Sequence, residues 1–218
     1  MNINRLKLVT LGMLAVGAIT LWANCVKADT LLYSDGPING TLDAGGISQG
    51  RGPLSDSFTV GGNSALTVAV VGLWLSPGDT PVAVDWEIGT TPFGSDIASG
   101  TSSFFDQTNM GPNAGNFDIW QSSLDIGGTV LAGTTYWFSL SNATTDPAFS
   151  GEDFVYWDLN NGPSSAFQLA NGVNHPVGAQ PFDIFGNVIT TSPEPGSILL
   201  LCSSLLSLAG IRRRRVRA

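Results

Sequence analysis

Between Asp29 and Glu194 the chain has no lysine and no cysteine, and its one cation there is Arg51. Against seventeen acids, that leaves the stretch a net charge of −16. A surface of this sign repels phosphate backbones, which excludes nucleic acid as a partner. The missing cysteines exclude a disulfide framework and a cysteine-based metal site, so stability must come from packing. Histidine is nearly absent. His175, in "GVNHPVG", is the only one, and its surroundings read as a turn. A nucleophilic triad needs a base beside a nucleophile and an orienting acid, and no nucleophile signature accompanies His175. A tetrahedral zinc site lacks its usual ligands for the same reason. Long helix-period segments are missing as well.

What the stretch does contain is short runs of β-branched and aromatic residues, separated by Gly, Pro, Asn and Asp. In "VAVDWEI", Val82, Val84, Trp86 and Ile88 alternate with Ala83, Asp85 and Glu87, which predicts a half-buried strand. Ala65–Leu75 is apolar on both faces and suits a central strand, with Gly72 marking a bulge. "TYWFSL" puts Tyr136, Phe138 and Leu140 on one side, "FVYWDL" does so with Val155, Trp157 and Leu159, and "PFDIFG" turns Phe182 and Ile184 inward. Weaker strands are expected at Leu31–Ser34, Asp56–Val60, Ile97–Phe105 and Asn116–Ile119. Nine or ten strands with no helix predict an all-β fold, an antiparallel β-sandwich of jelly-roll type, over residues 29–188.

The remaining cations and apolar runs lie at the ends of the 218-residue chain. Arg5 and Lys7 lead an apolar run from Leu8 to about Ala23, and Val26 and Ala28 stand at −3 and −1 of a cut before Asp29. These are the parts of a secretory signal peptide over residues 1–28. Cys25 offers a lipidation alternative, against which Asn24 is too large and polar a neighbour. At the other end, a Pro-punctuated linker (189–196) precedes an apolar run from Ser197 to Ile211. As a helix this run reaches about 22 Å, short of a hydrocarbon core of ~30 Å. Arg212, Arg213, Arg214, Arg215 and Arg217 would stop transfer and stay cytoplasmic. A buried helix of the domain is the bland alternative, and its apolar residues all round with an arginine tip fit that poorly.

Pro193-Glu194-Pro195, then the apolar run, then the arginines, resembles the PEP-CTERM sorting signal. The resemblance implies export by a Gram-negative bacterium that makes exopolysaccharide. It also implies a hold in the inner membrane until an exosortase processes the chain near that motif. A second resemblance covers most of residues 30–187. "LLYSDGPINGT", "DSFTV", "GLWLSPGDTPVAVDWEIGTTPFG" and "VYWDLNNGPSSAFQ" are similar to the choice-of-anchor R domain, which implies an extracellular β-rich module and supplies no catalytic residues. The partners expected are therefore the secretion machinery, the exosortase, the membrane before processing, and extracellular polysaccharide.

Three kinds of chemistry remain to be weighed. Paired carboxylates hydrolyse glycosides, and Asp85 and Glu87 share a strand face while Glu152 and Asp153 are adjacent in a loop. A flat solvated face neither raises an acid's pKa nor traps a sugar, so no enzyme is expected. Calcium suits the oxygen-rich "GEDFVYWDLNNG", through Glu152, Asp153, Asp158 and Asn160. The spacing does not fit an EF-hand, and "DLNNGP" reads more simply as a turn. No other cofactor is expected. Trp120 and Trp137 fall opposite the apolar alternation of their strands, where exposed indoles would stack on pyranose rings, with burial as the rival. The function expected is a non-catalytic structural or adhesive role in the exopolysaccharide or biofilm layer, with a lectin-like module as the alternative.

Overall fold

The computed structural model of the chain describes residues 29–40, 43–147 and 154–190. Among these residues there is no helix and there are thirteen strands. They are β1 (Thr30–Ser34), β2 (Ala44–Gly46), β3 (Leu54–Thr59), β4 (Ser64–Leu75), β5 (Thr80–Gly89), β6 (Ala98–Pro112) and β7 (Asp118–Asp125). The chain continues through β8 (Thr129–Val130), β9 (Thr135–Asp146), β10 (Tyr156–Asp158), β11 (Ala166–Ala170), β12 (Val173–Val177) and β13 (Phe182–Val188). The fold is all-β, as the alternation predicts.

The strands form one sheet in the order β1-β13-β4-β7-β6-β5-β9-β3-β11-β12, with β8 and β10 alongside β4 and β2 alongside β10. Every ladder is antiparallel. The long β6 joins the halves. Ala98–Ser103 pairs with β5, and the run from Phe104 to Pro112 pairs with β7. The register slips between Phe105 and Thr108, where Asp106 takes a φ of 45°. The sheet folds on itself, and its inner faces meet through aromatic rings. Phe58 of β3 lies 6.4 Å from Phe182 of β13, and Phe138 of β9 lies 5.7 Å from Trp157 of β10. Ring pairs of this kind add to the burial of large apolar area.

Alternation explains most of the core. Tyr136, Phe138 and Leu140 are all buried, as are Val155, Trp157, Phe182 and Ile184. In β5 and β4 the pattern breaks at a bulge. In β5 the register with β9 slips on both sides of Ala83. Pro81 therefore turns inward and Val82 is left 40% exposed, against the expected parity. In β4 the ladder to β13 jumps from Val68 to Leu66, so the extra residue is Thr67, not Gly72. Leu66 is buried on one side of that bulge and Ala69, Val71, Leu73 and Leu75 on the other, with the parity switched. Gly72 serves a different purpose. A Cβ there would stand 2.7 Å from Cγ1 of Ile38, so its missing side chain seats the 35–40 loop on the outer face of β4. Gly72→Val is expected to displace that loop and destabilise the domain by about 1–3 kcal/mol, read as a lower denaturation midpoint at unchanged slope.

The β1–β13 ladder has two poles. Thr30 pairs with Gly186, and Asn187 Nδ2 and Thr67 Oγ1 donate to the Asp29 carboxylate at 2.7 and 2.9 Å. Residues 29 and 188 thus lie side by side at one end. Ser34 pairs with Asp183 at the other end, about 14 Å along β1 at ~3.4 Å per residue.

Candidate functional site

The pole away from Asp29 carries a cleft of about 500 Å³ between the 34–39 and 160–163 segments. Its polar wall is Ser34, Asp35, Asn39, Asn160 and Asn161, with Pro37 and Pro163 as apolar surfaces. Asp35 N–H donates to Phe182 O at 2.9 Å, which continues the β1–β13 ladder into the cleft wall. Asn160 Nδ2 donates to Asp35 O at 2.7 Å, and its Oδ1 accepts from Gly162 N–H at 2.9 Å. A Cβ on Gly162 would come within 2.5 Å of Asp35 O, so only glycine lets the two segments approach this closely.

Beneath the cleft lies a buried acid cluster. Tyr33 Oη donates to Asp35 Oδ1 at 2.7 Å, and Ser164 Oγ donates to Asp35 Oδ2 at 2.9 Å. Asp35 and Asp56 are both fully buried. Asp56 accepts from Ser57 N–H at 2.6 Å and from Gln180 N–H at 2.7 Å. Burial pushes the Asp56 carboxyl up to about 7, held back by the Gln180 N–H and the Ser164 hydroxyl and reinforced by the charge of Asp35. Burial likewise raises Asp35, opposed by its bonds from Tyr33 and Ser164. The Tyr33 phenol is raised by burial and then by its bond to Asp35. Arg51, the one cation of the domain, lies 4.1 Å over the Phe154 ring.

Asp158 is the second anchor of the cleft. Its Oδ2 accepts from Asn39 and Gly40 N–H at 2.9 and 3.2 Å, and its Oδ1 accepts from Trp74 Nε1 at 2.8 Å. Burial raises its pKa, and these donors oppose the shift. Trp74 begins a half-buried aromatic row on the outer face. Phe117 follows at 6.0 Å, then Tyr156 at 5.6 Å and Phe154 at 5.9 Å.

Of the calcium candidates, Asp158 and Asn160 are both brought to this pole, each bonded to the 35–40 loop. Glu152 and Asp153 lie outside the described residues. Trp120 falls on the core side of β7, not opposite it. Leu124 shares its parity and is buried in the core, whereas Ile119 points outward and is covered by Gly40. The Trp120 indole packs against the core with a buried Nε1 that has no partner among the described residues. Trp137 is partly buried on the outward side of β9, 5.5 Å from Phe167. Asp85 accepts from Thr101 and, at 2.8 Å, from Asn142, on the same exposed face as Glu87. His175 is not in a turn. It sits exposed on the edge strand β12 opposite Gln168, and the turn falls earlier, at Asn171-Gly172, where both residues take positive φ. Pro176 is tolerated there because an edge strand needs no donor on its free side. Of the signal-cleavage residues, Asp29 is described, while Val26 and Ala28 lie outside. So do Pro193, Glu194, Pro195, Arg212, Arg213, Arg214, Arg215 and Arg217, the 197–211 run, Cys25 and Cys202.

Comparison with protein-family models and with curated proteins finds no match to the chain.

Proposed function

We propose that the protein is an exported, non-catalytic display module of the cell surface or extracellular matrix, sorted through its Pro193-Glu194-Pro195 signal by an exosortase. Residues 29–190 would be its working domain, a jelly-roll-like sandwich. The observation that supports this reading most is polarity: residues 29 and 188 lie together at one end of the β1–β13 ladder, and the cleft lies at its other end. A domain tethered at the first pole presents the second to its surroundings. A cut before Asp29 keeps every described strand, from Thr30 onward, in the mature chain. A lysine-free domain of net charge −15 keeps such a module soluble among its own kind. The role is adhesive or structural within a polysaccharide layer.

Mass spectrometry of the mature protein from envelope and medium tests this reading. The expected product begins at Asp29 and has lost its arginine tail. A full arginine tail on protein confined to the inner membrane would rule out sorting by this route.

A further inference from the structure

We propose, resting on the display reading above, that the distal cleft is a binding site for a neutral saccharide chain. Four observations point there. The cleft of about 500 Å³ lies within the ~300–1,000 Å³ range of small-molecule sites. Its wall offers a hydroxyl (Ser34) and two carboxamides (Asn39, Asn161) between two prolines, backed by the internally bonded amide of Asn160. Carboxamides donate and accept side by side, as vicinal sugar hydroxyls do, and proline rings give flat apolar surfaces for sugar C–H groups.

Charge narrows the class. No lysine or arginine lines the cleft, and acids outnumber the single Arg51 across the domain, so phosphate, sulfate and uronic-acid ligands meet repulsion with no compensating cation. Preorganisation comes next. Asn160 is fixed at both ends of its amide, and Asp158 clamps Asn39 and Gly40, so the wall loses little freedom on binding. The last observation is continuity. The carboxylate that holds Asn39 also holds the Trp74 indole, so the Trp74–Phe117–Tyr156 row begins one carboxylate away from the cleft wall.

The test uses the full chain purified in mild detergent, with calorimetric titration of gluco-, galacto- and manno-hexaoses and of a uronic-acid hexasaccharide. At least one neutral hexaose is expected to bind, with EDTA present, and the acidic one is expected not to. Asn161 is exposed and lines the mouth, so its substitution leaves the fold intact. Asn161→Ala is expected to weaken binding about tenfold, and Asn161→Trp to abolish it by filling the mouth, both at unchanged melting temperature. The site is overturned if no neutral hexaose binds, if binding vanishes in EDTA, or if both variants stay within about twofold of the parent. The titration is indifferent to how the cell processes the termini. Failed sorting and a failed saccharide site are therefore separate results.

Discussion

Raising the pH from 4 to 8 is expected to lower the unfolding free energy by about 4 kcal/mol through Asp56 alone, at 1.36 kcal/mol per pKa unit. The sign follows from proton counting. The folded carboxyl titrates near 7 and the unfolded one near 3.8, so between these values the folded state holds the extra proton. Stability from this group is complete below about pH 4 and is lost as the pH rises through about 7. Asp35, also raised by burial, acts in the same direction. The groups facing Asp56 are the Ser57 and Gln180 amides, the Ser164 hydroxyl and the Asp35 carboxylate. Urea unfolding at intervals between pH 4 and 8 measures the slope.

Asp56→Asn gives the control. Both oxygens of Asp56 accept from backbone amides, and a carboxamide can accept from only one of them. The variant is therefore expected to be less stable than the parent at pH 4, by about 1–3 kcal/mol for the amide left unpaired. It no longer carries a buried charge at pH 8, so its pH profile flattens and the two curves converge. Identical slopes in parent and variant would refute the assignment.

The fold was legible where one residue type repeats on one face, and the site was not. Tyr136, Phe138 and Leu140 announce β9 because each second residue is large and apolar. Val82 and Gly72 misled because a bulge changes face parity without any residue type that marks it, and the extra residue in β4 is an ordinary threonine. Trp120 misled because Ile119 is buried by a loop, not by the core, so one apolar residue indicated the wrong side. β2 is Ala44-Gly45-Gly46, which has no strand signature and is held by its pairing to β10. The acid cluster joins Tyr33, Asp35, Asp56 and Ser164, which only the sheet order brings together. One local clue did exist. Asp56 shares strand parity with Leu54 and Phe58, and all three are buried, so an acid at the centre of an inward-facing apolar triplet marks a candidate buried carboxylate. Likewise "DLNNGP" reads as a turn from its composition, but only the 35–40 loop opposite makes it one wall of a cleft.

Trp157→Ala is expected to cost about 3–5 kcal/mol, the range for removing a large aromatic from a core. Trp157 is fully buried, although its strand has only three residues. Its ring meets Phe138 edge-on at 5.7 Å and Phe182 at 5.8 Å, so one indole bridges both halves of the folded sheet. Its Nε1 donates to Pro181 O at 3.3 Å, and truncation leaves that carbonyl buried without this donor. β10 cannot collapse into the space, because it is held to β2 on one side and β4 on the other. The void therefore persists. For a domain of this size the melting temperature should fall by roughly 10 °C, at about 2–4 °C per kcal/mol. Trp157→Phe keeps a ring between Phe138 and Phe182 and loses the indole N–H, so it should fall between parent and alanine variant. The position also reaches the cleft. Asp158, the next residue, clamps Asn39 and Gly40, so a void at Trp157 loosens the wall that Asp158 holds. Trp157→Ala within 1 kcal/mol of the parent in denaturant unfolding would show that the two half-sheets cohere without this bridge.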